Sequence, residues 1–163
     1  MMYYSASMNT LDESLMNAVK EGKLLESSRT NIRLLLDGTK SPIAREAVEE
    51  LASAGEWQEL NDRFYKTLAF GTGGLRGRTI GSIVTRAEQG NGGVNGRPEY
   101  PCVGTACMNY FNVGRAMRGL IIYVKKHVEV TDPGRKPRLV IGHDTRHFSR
   151  DFAEFCAKIG TDL

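Results

Sequence analysis

Apolar residues recur at helical spacing through the first third of the chain. Leu11, Leu15 and Val19 follow one another every four residues until Gly22, and Thr10 with Glu13 reads as a capping box ahead of them. Ile32, Leu35 and Leu36 form a second stripe that closes at Asp37-Gly38. Ser41-Pro42 is a start signal, an N-cap followed by proline at the first helical position, and Ala44, Ala47, Val48 and Leu51 then share one face until Gly55. Trp57, Leu60 and Phe64 fall at i, i+3 and i+7, with Leu68 a turn further on. Residues 1–68 are therefore expected to form a helical extension, with Trp57 and Phe64 as core.

Beyond residue 68 the pattern changes. Arg78 to Arg86 holds Thr79, Ile80, Ile83, Val84 and Thr85 around Gly81-Ser82, which predicts one or two short strands. Ala87 to Gly104 is rich in Gly, Asn and Pro and reads as a mobile connection. Helical spacing returns between Met108 and Lys126, where Val113, Met117, Leu120, Ile121 and Val124 lie on one face and Gly114 permits close packing. After a turn at Thr131-Asp132-Pro133-Gly134, the run Arg138-Leu139-Val140-Ile141-Gly142 predicts a strand buried on both faces. Phe148, Phe152, Phe155, Cys156 and Ile159 mark a last helix, capped by Thr145 or Ser149. Helix, buried strand and helix in that order indicate an α/β layer architecture.

Composition narrows the class. A chain of 163 residues that is 40% hydrophobic and 25% charged can bury an ordinary core. Its net charge of +3 is spread among acidic residues, so no basic stripe for nucleic acid is visible. No apolar run is long enough to cross a bilayer, and Met1-Met2-Tyr3-Tyr4-Ser5 has no signal-peptide pattern, so a cytoplasmic protein is expected. Three cysteines, Cys102, Cys107 and Cys156, do not suggest a disulfide framework, and Cys156 reads as core.

The candidate chemistry centres on Phe70-Gly71-Thr72-Gly73-Gly74-Leu75-Arg76-Gly77. Glycines at this density allow positive φ and leave amide N–H groups uncovered, Thr72 adds a hydroxyl, and Arg76 adds a planar cation suited to phosphate. The segment is either a phosphate-facing loop or a tight turn with Arg76 pointing to solvent. It is not a dinucleotide fingerprint, because Arg76 stands where a third glycine is required. Gly38-Thr39-Lys40-Ser41 has Arg33 where a phosphate loop needs its upstream glycine, so it reads as a turn. A second constellation, His143-Asp144-Thr145-Arg146-His147, follows the expected strand. There Asp144 is expected to pair with Arg146 or cap the helix, and the two histidines, one ending a strand and one starting a helix, make a poor metal pair.

Together, FGTGGLRG, TACMN with a helix ending GLIIYV, and LVIGHDTRHFSRDFA resemble the start of the α-D-phosphohexomutase family, the phosphoglucomutases and phosphomannomutases. The resemblance covers roughly residues 56–163, with a longer connection at 87–104 than the family usually has. It implies a helical N-terminal extension at 1–68, followed at 69–163 by an incomplete three-layer α/β/α domain with a mixed sheet. It also implies a parent that interconverts hexose 1-phosphate and hexose 6-phosphate by way of a phosphoserine. Magnesium and a hexose 1,6-bisphosphate would assist, and Thr72, Gly73, Gly74, Arg76 and Arg146 would line the phosphate site. The family's Ser-His-Asn-Pro loop is absent from these 163 residues, as are its magnesium loop, sugar-specificity loop and terminal domain. The chain is accordingly expected to be an N-terminal part without catalytic or metal-binding residues, inactive alone, and prone to self-association through an open sheet edge. The alternatives are a phosphopentomutase-type parent or a complete, non-catalytic anion-binding or partner-binding α/β module.

Overall fold

The structure, a computed structural model, describes residues 3–71 and 73–162, with side chains from Thr10 onward. The described residues form α1 (Tyr3–Lys20), α2 (Glu26–Gly38), α3 (Pro42–Ser53), α4 (Trp57–Phe64), α5 (Arg86–Gln89), a 3-10 turn (Val94–Gly96), α6 (Tyr110–Thr131) and α7 (Ser149–Asp162). They contain no sheet. The expected α/β architecture with a mixed sheet is therefore corrected to an all-helical one, in which the single strand-type pairing among the described residues is an antiparallel bridge between Gly71 and Gly74. Two compact units divide the chain, Met1–Met108 and Asn109–Leu163, and each is described by itself.

In the first unit, α1 to α4 pack through the stripes read from the sequence. Leu15, Ile32, Leu35, Ala47, Val48, Leu51, Leu60 and Phe64 are all buried. Helix α1 begins at Tyr3, so Thr10 lies inside it rather than at its cap. Pro42 does occupy the start of α3, although the Ser41 side chain makes no capping bond. Asn61 ties the α1–α2 connection to α4: its Oδ1 accepts from the Leu25 N–H at 2.9 Å and its Nδ2 donates to the Lys23 carbonyl.

Residues 78–86 are not strands. Their carbonyls are taken up elsewhere, by the Met108 N–H on Arg78, the Cys102 N–H on Thr79 and the Arg63 guanidinium on Ile83. With those acceptors committed to loops and a side chain, no ladder forms. The connection at 87–104 is ordered by its own bonds. Thr85 and Glu88 form a capping box at α5, the Glu99 and Tyr100 N–H groups donate to the Gln89 and Glu88 carbonyls, and Glu99 Oε2 accepts from the Asn91 N–H.

In the second unit α6 and α7 pack together through Met117, Ile121 and Ile159, joined by Phe155 and the half-buried Cys156. Gly114 allows this approach, because a Cβ there would lie 3.0 Å from the Phe155 ring. Helix α6 starts at the Asn109 cap, whose side chain accepts from the Asn112 N–H, and runs to Thr131, past the expected end at Lys126. The expected strand at 138–142 is irregular and open to solvent, with Val140 fully exposed. An isolated strand gains no ladder bonds, and no described residue pairs with this one, so the apolar run has neither the cover nor the edge that the sequence suggested.

Candidate functional site

The glycine run is a tight turn. The Gly71 N–H donates to the Gly74 carbonyl at 3.1 Å, the Gly74 N–H returns to Gly71 at 3.3 Å, and Gly73 and Gly74 have φ of 85° and 143°. These two amides serve the turn itself. Thr72 lies outside the described residues.

Immediately after the turn, Arg76, Gly77 and Arg78 line an open groove of about 660 Å³ with Lys66, Tyr65, Asp62, Asn61, Gln58, Leu25 and Ala106. Lys66 sits over the Tyr65 ring with Nζ 4.9 Å from its centroid, and Gln58 Nε2 donates to Asp62 Oδ1. Arg76 is exposed, whereas Arg78 is partly buried, donating from Nη1 to Ser82 Oγ and standing with Nη2 3.2 Å from Glu59 Oε2. Burial opposes the charge on Arg78, but Glu59 together with Cys102 and Cys107 more than offsets it, so its pKa lies above the ordinary arginine value. The groove therefore holds three cations against one acid, Asp62, enough room for a small ligand, and a polar rim.

Glu59, the partner of Arg78, belongs to a buried ion cluster. Arg63 is wholly inaccessible and satisfies all five of its guanidinium N–H groups: Nε donates to Glu59 Oε1 at 2.7 Å, Nη1 to Glu88 Oε1 and the Val103 carbonyl, and Nη2 to Glu88 Oε2 and the Ile83 carbonyl. Glu88 in turn accepts from the Val103 N–H, the Thr85 N–H and the Thr85 hydroxyl. Burial works against the positive charge on Arg63, while Cys102, Glu88 and Glu59 more than offset it and hold its pKa above the usual range. Glu59 thus joins Arg63 to Arg78, and Arg78 carries the cluster to the groove.

Arg146 belongs to the second unit, where its Nε donates to Asp144 Oδ2 at 2.7 Å and its N–H to Asp144 Oδ1 at 3.1 Å. The Arg146 N–H, the Ser149 hydroxyl and the Arg146 guanidinium lower the Asp144 pKa. Asp144 thereby shapes its loop, as the sequence suggested. Gly73, Gly74 and Arg76 lie together in the first unit. Among the described residues no group of three or more His, Cys, Asp or Glu gathers to hold a metal ion. None of the described helices is long and apolar enough to cross a membrane.

Sequence reading missed Arg63, Glu59 and Glu88, and with them Arg78 and Lys66. One signal was present: Glu59 and Arg63 stand i, i+4 on a short helix whose Leu60 and Phe64 are core, so the pair is carried toward the interior. No family model, curated protein or solved structure matches the chain.

Proposed function

We propose that this chain supplies one wall of a phosphohexomutase site, in which the groove beside the glycine turn binds the phosphoryl group of a hexose phosphate. The observation that carries the reading is the gathering of Lys66, Arg76 and Arg78 on one groove directly after the FGTGGLRG turn. The combined motifs support the reading. Arg76 presents a planar fork for two phosphoryl oxygens, Arg78 is held in place by Glu59, and Lys66 adds a mobile point charge. The polar rim of Gln58, Asn61 and Asp62 is suited to sugar hydroxyls.

A mutase reaction of the proposed kind passes a phosphoryl group from an enzyme serine to the sugar and back. The 163 residues contain no Ser-His-Asn-Pro run, so this chain is assigned binding and positioning, and the nucleophile to other parts of the parent. Calorimetric titration of the chain with glucose 1-phosphate tests this. Saturable binding is expected, with unphosphorylated glucose showing none and inorganic phosphate binding more weakly. No heat with glucose 1-phosphate, or equal affinity for glucose, would overturn the reading.

A further inference from the structure

Two thiols stand together beside Arg78. Cys102 and Cys107 are both buried, with their Sγ atoms 3.1 Å apart. The backbone brings them together: the Cys102 N–H donates to the Thr79 carbonyl at 2.8 Å and the Met108 N–H to the Arg78 carbonyl at 3.0 Å. Both ends of the 102–108 segment are thus pinned to neighbouring residues, and the chain between them must double back. Gly104 stands in the return. A Cβ there would lie 2.9 Å from Cys107 Sγ and 2.6 Å from the Arg63 carbonyl, so a glycine leaves the space in which the second sulfur sits.

We propose that Cys102 and Cys107 are a redox site, seen here as the dithiol, which a hydroperoxide closes to an intrachain disulfide. From their present separation the sulfurs need approach by only about 1 Å to reach a bond of about 2.05 Å. The surroundings divide the roles. The hydrogen bond between the two thiols, followed by the charges of Arg63 and Arg78 and a hydrogen bond with Arg78, lowers the Cys107 pKa, while the thiol–thiol bond and burial raise that of Cys102. Glu88 is the acid that faces the pair, and it further disfavours charge on Cys102.

Cys107 thiolate therefore attacks the peroxide, breaking its O–O bond to give a sulfenic acid and hydroxide, which takes up a proton to become water. Cys102 sulfur then attacks the sulfenic sulfur, forming the S–S bond and expelling hydroxide, which leaves as water with the Cys102 proton. The pair loses two electrons, and one hydrogen peroxide is reduced to two waters. A dithiol reductant reverses the change by exchange. Burial of both sulfurs favours a small oxidant over a bulky disulfide. The product would brace the turn that supports Gly77, whose own Cβ would lie 2.9 Å from the Ala106 carbonyl.

The test uses the full chain carrying Cys156→Ser, so that only the pair can react. Folded protein is treated with equimolar hydrogen peroxide, then denatured and alkylated without reductant. The expected result is joint loss of both alkylatable thiols, an intact mass lower by two hydrogens, and recovery of both thiols with dithiothreitol. In addition, Cys102→Ser should leave a sulfenic acid on Cys107 that dimedone traps, while Cys107→Ser should give no such adduct on Cys102. Two thiols still alkylated after the peroxide is consumed, or oxidation to sulfinic acid without a link, would overturn the proposal. If Cys102→Ser fails to fold, the two-thiol measurement on the Cys156→Ser chain decides alone.

Discussion

Arg63 on α4 gives N–H groups to both carboxylate oxygens of Glu88 on α5, with both side chains shut off from solvent and the two residues 25 positions apart in the chain. The bond closes a loop that ordinary hydrophobic packing does not hold, since residues 78–104 offer few buried apolar side chains besides Cys102 and Val103. Replacing Arg63 with Met keeps an unbranched apolar stem, removes the guanidinium and strands two buried carboxylates. Breaking one partner of a buried ion pair costs about 3–5 kcal/mol, so Arg63→Met should lower the free energy of unfolding in urea by that amount. A midpoint within error of the parent chain would mean that the cluster contributes nothing.

Gly77 and Gly119 should respond in opposite directions to alanine. At Gly77 a Cβ would meet the Ala106 carbonyl at 2.9 Å and the Met108 nitrogen at 3.1 Å, both backbone atoms that cannot swing aside. Overpacking of this kind costs about 1–3 kcal/mol. Gly119 lies within α6 and faces open space, so alanine there should add about 0.5–1 kcal/mol through helix propensity. Urea unfolding followed by circular dichroism measures both, and equal shifts of the same sign would contradict the described packing.

The helical stripes were legible because each carries its partner nearby. Leu15, Val48, Leu51, Leu60 and Phe64 are buried where their spacing put them, since short connections bring α1 to α4 together. Val140 was not legible. A short apolar run reports that a segment could be covered, and the cover must come from residues whose positions the run does not encode. Thr79 and Ile83 show the same limit from the other side, because β-branched residues favour a ladder only when acceptors are available, and here Cys102 and Arg63 take theirs. At the site, Arg76 was found from a local motif, whereas Arg63 acts through Glu59 and Glu88, and Glu88 lies too far along the chain for any spacing rule to pair them.

Asp144 should titrate below the ordinary aspartate value near 3.9, because the Arg146 N–H, the Ser149 hydroxyl and the Arg146 guanidinium favour its charged form. A depressed folded-state pKa means that the charged carboxylate favours the folded state above the unfolded value, and that this contribution disappears as pH falls through the folded value. Carboxyl chemical shifts followed against pH should give a low midpoint, and Arg146→Ala should move it upward. An unshifted midpoint in the parent chain would contradict the described loop.

Arg76 and Arg78 should separate binding from stability. Arg76 is exposed on the groove, so Arg76→Ala should leave the urea midpoint within about 0.5 kcal/mol of the parent, as most surface substitutions do. If it holds a phosphoryl oxygen through a charge-assisted hydrogen bond of about 1.5–3 kcal/mol, glucose 1-phosphate should bind roughly 10- to 100-fold more weakly. Arg78 also lines the groove, but it is paired with Glu59, whose side chain is almost wholly buried. Arg78→Ala should therefore weaken both ligand binding and folding, the latter by about 1–3 kcal/mol as one partner of the buried acid is lost. Calorimetry and urea unfolding on the two variants measure the four quantities. Undiminished binding by Arg76→Ala would remove Arg76 from the phosphate site, and an unchanged midpoint for Arg78→Ala would break the link between the buried cluster and the groove.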